Sequence, residues 1–136
     1  MMPQRIQRQR KKGWRAAEAS ANPNGYVFVG RGSGYGNNWK IGSTGWTVLP
    51  GGWIDKRPHE PLTRQQAIDS FINARTYDIT FLRRIRKDLA GKDLVCWCRL
   101  DQACHADWLL EVANSEKPLE EFVDHSPKPA FLEAAA

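Results

Sequence analysis

The reading of this chain turns on Lys92-Asp-Leu-Val-Cys-Trp-Cys-Arg-Leu-Asp-Gln-Ala-Cys-His-Ala-Asp-Trp-Leu-Leu-Glu111. All three cysteines and one of the three histidines fall inside ten residues of it. Leu94 to Cys98 is a short apolar run bounded by charge, the pattern of a buried strand. After the polar turn Arg99 to Gln102, the segment from Cys104 to Asn114 takes helical spacing. Ala106, Leu109, Leu110 and Ala113 lie on its inner side and Glu111 faces solvent. Alternation along a strand puts Cys96 and Cys98 on one face and Trp97 on the other. Cys104 and His105 then sit where the helix begins. In α/β folds ligands gather beyond the carboxyl ends of strands, so the most titratable groups fall at a candidate site.

Working outward, Tyr26 to Gly30 is a second apolar, β-branched run, read as a central strand. It leads into Gly30-Arg-Gly-Ser-Gly-Tyr-Gly-Asn-Asn38, with glycine at alternate positions. Such a loop lets backbone amides approach an anion without obstruction by Cβ. It lacks the Gly-Lys-Ser/Thr of a phosphate-binding P-loop, and no helical pattern follows directly as in a dinucleotide fingerprint. Residues 39–62 hold Trp39, Trp46 and Trp53 among glycines and prolines, with Ile41 and Val48-Leu49 as short strand candidates. Those tryptophans either pack back as a substitute core or form a surface for a protein partner. Thr63-Arg-Gln-Gln66 is a capping box opening a helix with Ala67, Ile68, Phe71, Ile72 and Arg75 on one stripe. A second helix runs from about Asp78 to Ala90, with Leu82, Ile85 and Leu89 inward and Gly91 as its stop. The Arg83, Arg84, Arg86 and Lys87 face of that helix is read as a solvated surface.

The element order predicts one small α/β domain over residues 16–114, with a mainly parallel sheet flanked by helices and a long Gly/Trp-rich loop. Residues 115–136 read as a tail with one helical turn around Leu119 to Val123. A chain of 136 residues, 41% hydrophobic and 26% charged, suits a single globular domain. No apolar run is long enough for a membrane span and the basic start lacks a signal-peptide core, so the expectation is a cytoplasmic protein with no membrane partner. Of the 20 lysines and arginines, six lie in residues 1–15, which hold no acid; the other 14 face 15 acids, so the net +5 belongs to the opening segment. A basic arm on a neutral body suits a nucleotide or nucleic-acid partner, or is a solvated tail that aids solubility.

Three readings of the cysteine cluster stay open. Cys96, Cys98, Cys104 and His105 number four soft donors, which suits zinc, although C-x-C is tighter than the usual spacing and Cys104 and His105 are consecutive. Cys104 at a helix start, with His105 beside it, could serve chemistry or ligand contact. Buried cysteines can also be small hydrophobes, with His105 satisfied by a carbonyl. The zinc-deaminase signature is absent.

Pro3-Gln-Arg-Ile-Gln-Arg-Gln-Arg-Lys-Lys-Gly-Trp-Arg15, Val29-Gly-Arg-Gly-Ser33 with Gly36-Asn37, and Gly91-Lys-Asp-Leu-Val-Cys-Trp-Cys98 with Cys104-His-Ala-Asp107 and Leu109-Leu110 together resemble a family common in bacteria and phages. It is catalogued as domain of unknown function 4326. One departure is Asn38, where the family's loop typically has proline. The ending is also similar to that of domain of unknown function 488. The resemblance implies no activity. It does imply that the basic segment is part of the domain, with Arg5, Arg8, Arg15, Arg31, Asn37, Cys98, Cys104, His105 and Asp107 around a common pocket. The expected function is a nucleotide- or nucleic-acid-binding or processing protein. Cys104, His105 and Asp107 would be its reactive or orienting groups, and Arg5, Arg8, Arg15, Arg31, Gly32, Ser33 and Asn37 its anion-holding ones. The alternatives are a non-enzymatic module with a structural zinc and a phage-type protein-interaction module.

Overall fold

A computed structural model describes residues 2–134; Met1, Ala135 and Ala136 lie outside the described residues. Three parallel strands form the sheet: β1 (Arg5–Gln7), β2 (Tyr26–Phe28) and β5 (Asp93–Cys96), in the order β1-β5-β2. Ile6 pairs with Val95 on one side of β5, and Phe28 with Val95 on the other. Every residue of β5 is buried. The continuous apolar run that reads as central in the sequence is therefore an edge strand, β2, and the middle place belongs to β5. The reason is that the basic opening segment itself supplies the other edge, with Ile6 as its buried residue. A separate antiparallel hairpin, β3 (Thr47–Leu49) and β4 (Trp53–Asp55), arises from the Trp-rich loop. Ile41, expected in a strand, is instead an exposed turn residue.

Helix α1 (Ala16–Ala19) is a single turn between β1 and β2. Helices α2 (Arg64–Thr76) and α3 (Ile79–Leu89) start where the sequence placed them, because both caps are made. Thr63 and Gln66 exchange side-chain and backbone hydrogen bonds, and Asp78 accepts from the Thr80 N–H. Gly91, at φ +77°, ends α3 in a conformation that L side chains rarely adopt. Helix α4 (His105–Asn114) packs on β5 and β1, α3 packs on α4, and α2 completes the helical layer and carries the hairpin. Phe71, Leu82, Ile85, Leu89, Leu94 and Leu109 are all fully buried in this core, each contributing about 1.5–3 kcal/mol of burial. A 3₁₀ turn (Leu119–Phe122) and a short α5 (Ala130–Ala134) follow. Among the described residues, no helix is long and apolar enough to cross a membrane.

The parallel arrangement has one consequence for function. Strands β1, β2 and β5 all run out at the same edge, so Arg8 to Arg10, Val29 to Arg31 and Trp97-Cys98 emerge together. The start of α4 lies beside them, because the loop from Trp97 to Ala103 is short.

Candidate functional site

β5 stops at Cys96, so Cys98 belongs to a bend and not to the strand. The chain then curls back to Cys104, the N-cap of α4. That reversal brings three sulfurs together: the Sγ atoms of Cys96, Cys98 and Cys104 all lie within 4.8 Å of one another. Cys96 and Cys104 are 3.5 Å apart. The thiols are unpaired; Cys96 and Cys104 are buried and Cys98 is half-buried.

His105 is buried against Phe71, edge to face, with ring centres 5.1 Å apart. Its Nε2 lies 2.8 Å from the Val29 carbonyl oxygen. A carbonyl can only accept, so Nε2 carries the proton, and Nδ1 faces the Cys104 sulfur at 3.6 Å. His105 thereby ties the start of α4 to the end of β2.

Two arginines from distant parts of the chain pin the loop that carries Cys98. Arg5 donates through Nη2 to the carbonyls of Arg99, Leu100 and Gln102. Arg64, the first residue of α2, donates to the Ala103 carbonyl and to the Gln102 side chain. The other terminal Arg5 nitrogen, Nη1, lies 3.5 Å from Asp107 and is buried with no hydrogen-bond partner among the described residues. Burial lowers the Arg5 pKa, but its interactions with Cys104 and Asp107 outweigh that and raise it.

Within the sulfur trio the thiols are pushed in opposite directions. Hydrogen bonds from the Cys96 and Cys98 thiols hold Cys104 well below the ordinary thiol range, and the Ala106 N–H adds to this. The same bonds to Cys104 push Cys96 and Cys98 up. Cys104 is also the N-cap of a ten-residue helix, where backbone N–H groups favour an anion.

These sulfurs and His105 floor a cavity of about 500 Å³ at the carboxyl edge of the sheet. Arg10, Arg31, Lys40 and Arg64 line its walls, together with Trp39 and Trp97. Trp39 is edge-on to Trp46 at 5.4 Å and donates its indole N–H to the Trp46 carbonyl. Trp97 is exposed and carries Arg8 and Arg10 over its ring, each 4.9 Å from the ring centre.

The residues singled out from the sequence divide into four groups. Arg31, Asn37, Cys96, Cys98, Cys104 and His105 line the cavity. Asn37 is also occupied structurally, donating to the Ala67 carbonyl and accepting from the Trp39 N–H. Arg5 and Asp107 lie outside its lining: Arg5 clamps the loop, and Asp107 accepts from the Cys104 N–H to close the start of α4. Arg8 and Arg15 line a separate groove with Trp14, Tyr26, Phe28 and Val95. Gly32 and Ser33 stand in the turn; the Ser33 hydroxyl bonds the Gly30 carbonyl and the Tyr35 N–H. Arg10, Lys40, Arg64 and Trp97 were not singled out as site residues. Arg64 had one usable signal, its place directly after a capping Thr63 at the mouth of a helix.

The glycines of the loop act by permitting close approach. A Cβ on Gly36 would sit 2.7 Å from the Gly30 carbonyl oxygen and 2.8 Å from the Arg31 Cα. Gly36 thus lets the loop fold flat and keeps Arg31 at the cavity wall.

Residues 6–115 match the family described as Domain of unknown function (DUF4326). The chain belongs to this family. The matched span runs from the second residue of β1 to just past the end of α4, so the glycine loop and the sulfur cluster are within it and Arg5 lies just before it. No curated protein and no solved structure matches the chain.

Proposed function

We propose that this member of the DUF4326 family binds a nucleotide, free or as part of a nucleic-acid strand, in the cavity at the carboxyl edge of its sheet. The observation that carries the reading is the lining: four cationic side chains, Arg10, Arg31, Lys40 and Arg64, share one cavity with two indole rings, Trp39 and Trp97. Guanidinium groups match phosphate oxygens in pairs, and indole faces accept a base by stacking. Among the described residues, no acidic side chain lines the same cavity to offset those charges. Arg10 and Trp97 also line the groove of Arg8, Trp14, Tyr26 and Phe28. That shared rim supports a ligand longer than one nucleotide, passing from groove to cavity around Trp97.

In this reading Cys104 and His105 are the groups able to act on the ligand, since both face the cavity. Asp107 orients Cys104 through its N–H and ties it to Arg5.

The test is titration of a fluorescent adenine nucleotide and of a labelled single-stranded oligonucleotide at low and moderate salt, followed by anisotropy. Binding of either, with Arg31→Ala and Trp39→Ala each weakening it about tenfold, in line with about 1–3 kcal/mol per stacked base, is the expected result. Absence of binding by both probes at low salt, or affinities unchanged in the double variant, would overturn the reading.

A further inference from the structure

We propose that Cys96, Cys98 and Cys104 together hold one zinc-class divalent cation, bound by three thiolates, with its fourth position open to the cavity. This goes beyond the nucleotide reading and does not depend on it.

The distances fit. Zinc–sulfur bonds of about 2.3 Å at tetrahedral angles place neighbouring thiolates about 3.8 Å apart. Here the three sulfurs are mutually within 4.8 Å, with Cys96 and Cys104 at 3.5 Å. A cation would enter with the sulfurs adjusting their separations by no more than about 1 Å. In the sequence C-x-C is tighter than the usual ligand spacing, and Cys98 reads as part of the strand. The strand ends at Cys96, and the bend turns Cys98 back onto the cluster.

The surroundings also fit. Each ligand is held by a different rigid feature: Cys96 ends the central strand, Cys104 caps α4, and Cys98 rides on the loop pinned by Arg5 and Arg64. The Arg5 side chain is only 7% exposed, and its Nη1 has no hydrogen-bond partner although the guanidinium adjoins Cys104. A buried guanidinium donor left unmatched is costly. Three thiolates around a divalent cation carry one net negative charge, which this guanidinium would balance as an outer-shell partner.

Rival readings leave a residue unexplained. A disulfide would use two sulfurs and strand the third. His105 stands outside the group whose donor atoms are all mutually within 4.8 Å, and its Nε2 is engaged by Val29. With all three sulfurs lining the cavity, the remaining tetrahedral corner faces the open space, the pattern of a zinc site that exchanges water or ligand.

The experiment uses the full chain, stripped with chelator under reducing conditions and titrated with cobalt(II). One equivalent should produce visible tetrahedral bands with thiolate-to-cobalt charge transfer, and zinc should then bleach both. Cys98→Ser is the informative variant because Cys98 is half-buried and its replacement leaves the core intact; it should lose the stoichiometric signal while circular dichroism is unchanged. His105→Gln should retain one equivalent, and azide should shift the visible bands by taking the open corner. No stoichiometric cobalt signal, or a signal unaltered in Cys98→Ser, would overturn the site. Loss of binding in a folded His105→Gln, or indifference to azide, would overturn the open position. Nucleotide titration of the stripped protein is read separately, so either proposal can fail alone.

Discussion

At the scale of single residues, the fold depends on one buried charge whose partners lie far away in sequence. Asp93 is fully buried at the start of β5. It accepts from the Gln4 N–H, the Ser20 hydroxyl and the Asn22 side chain. It therefore joins the opening segment, the end of α1 and the turn before β2 to the central strand. Burial would raise its pKa, but these hydrogen bonds outweigh burial and lower it. The sign follows: a depressed folded-state pKa contributes stability above the unfolded carboxylate value and loses it as pH falls through the folded value. Urea unfolding of the native chain should show its midpoint dropping as pH is lowered from about 5 to about 3, with a smaller drop in Asp93→Asn. At neutral pH, Asp93→Ala should cost about 3 kcal/mol, since it removes several hydrogen bonds to a charged group. Gly36→Ala is a second residue-scale prediction. Its new methyl meets the Gly30 carbonyl at 2.7 Å, so a loss of about 1–3 kcal/mol is expected in thermal melts, with the loop displaced from the cavity wall.

Among the elements, helix starts were the most legible feature. A capping box is a local exchange of hydrogen bonds, which is why Thr63 and Gln66 could be read directly and are found paired. Thr63→Ala should destabilise the protein by about 1 kcal/mol in urea titrations. The same change loosens the first turn of α2, which carries Arg64, so the Trp97–Ala103 loop should become a faster site of limited proteolysis. Strands were less legible. Three-residue β1 has one buried side chain, Ile6, among basic and polar neighbours, and no periodicity can be measured over so short a run. Its strand character comes from pairing with β5, a non-local fact. The charged face of α3 divides in the structure: Arg86 bonds the Val112 carbonyl and Arg84 lies over Tyr35 and Phe81. Arg86 is thus half-buried, while Arg83, Arg84 and Lys87 stay exposed.

For the molecule as a whole, the opening segment is an edge of the sheet and also supplies the clamp on the site loop. Deleting residues 2–8 removes β1, uncovers one side of β5 and withdraws Arg5 from the loop. The truncated chain should lose cooperative thermal unfolding and not merely affinity for a ligand; a sharp melt near the native temperature would refute that assignment. Charge at this scale bears on the proposed ligand. The cavity walls hold cations from four separate segments, Arg10, Arg31, Lys40 and Arg64, so affinity for a strand should fall steeply between about 50 and 200 mM salt.

The amino-acid order by itself determined the family, the helices with their caps, the buried run of β5 and the crowding of cysteine and histidine at the start of α4. These are short-range patterns, set by hydrogen bonds and apolar periodicity within a few residues. Tertiary structure alone decided which strand is central, that Arg5 braces the loop, and that Arg64 and Lys40 join Arg31 around the cavity. It also decided that three sulfurs meet while His105 turns its Nε2 to Val29. Those outcomes depend on parallel pairing between segments some ninety residues apart. Contacts at that separation are fixed by the closing of the whole core, because no local pattern in either segment encodes its partner.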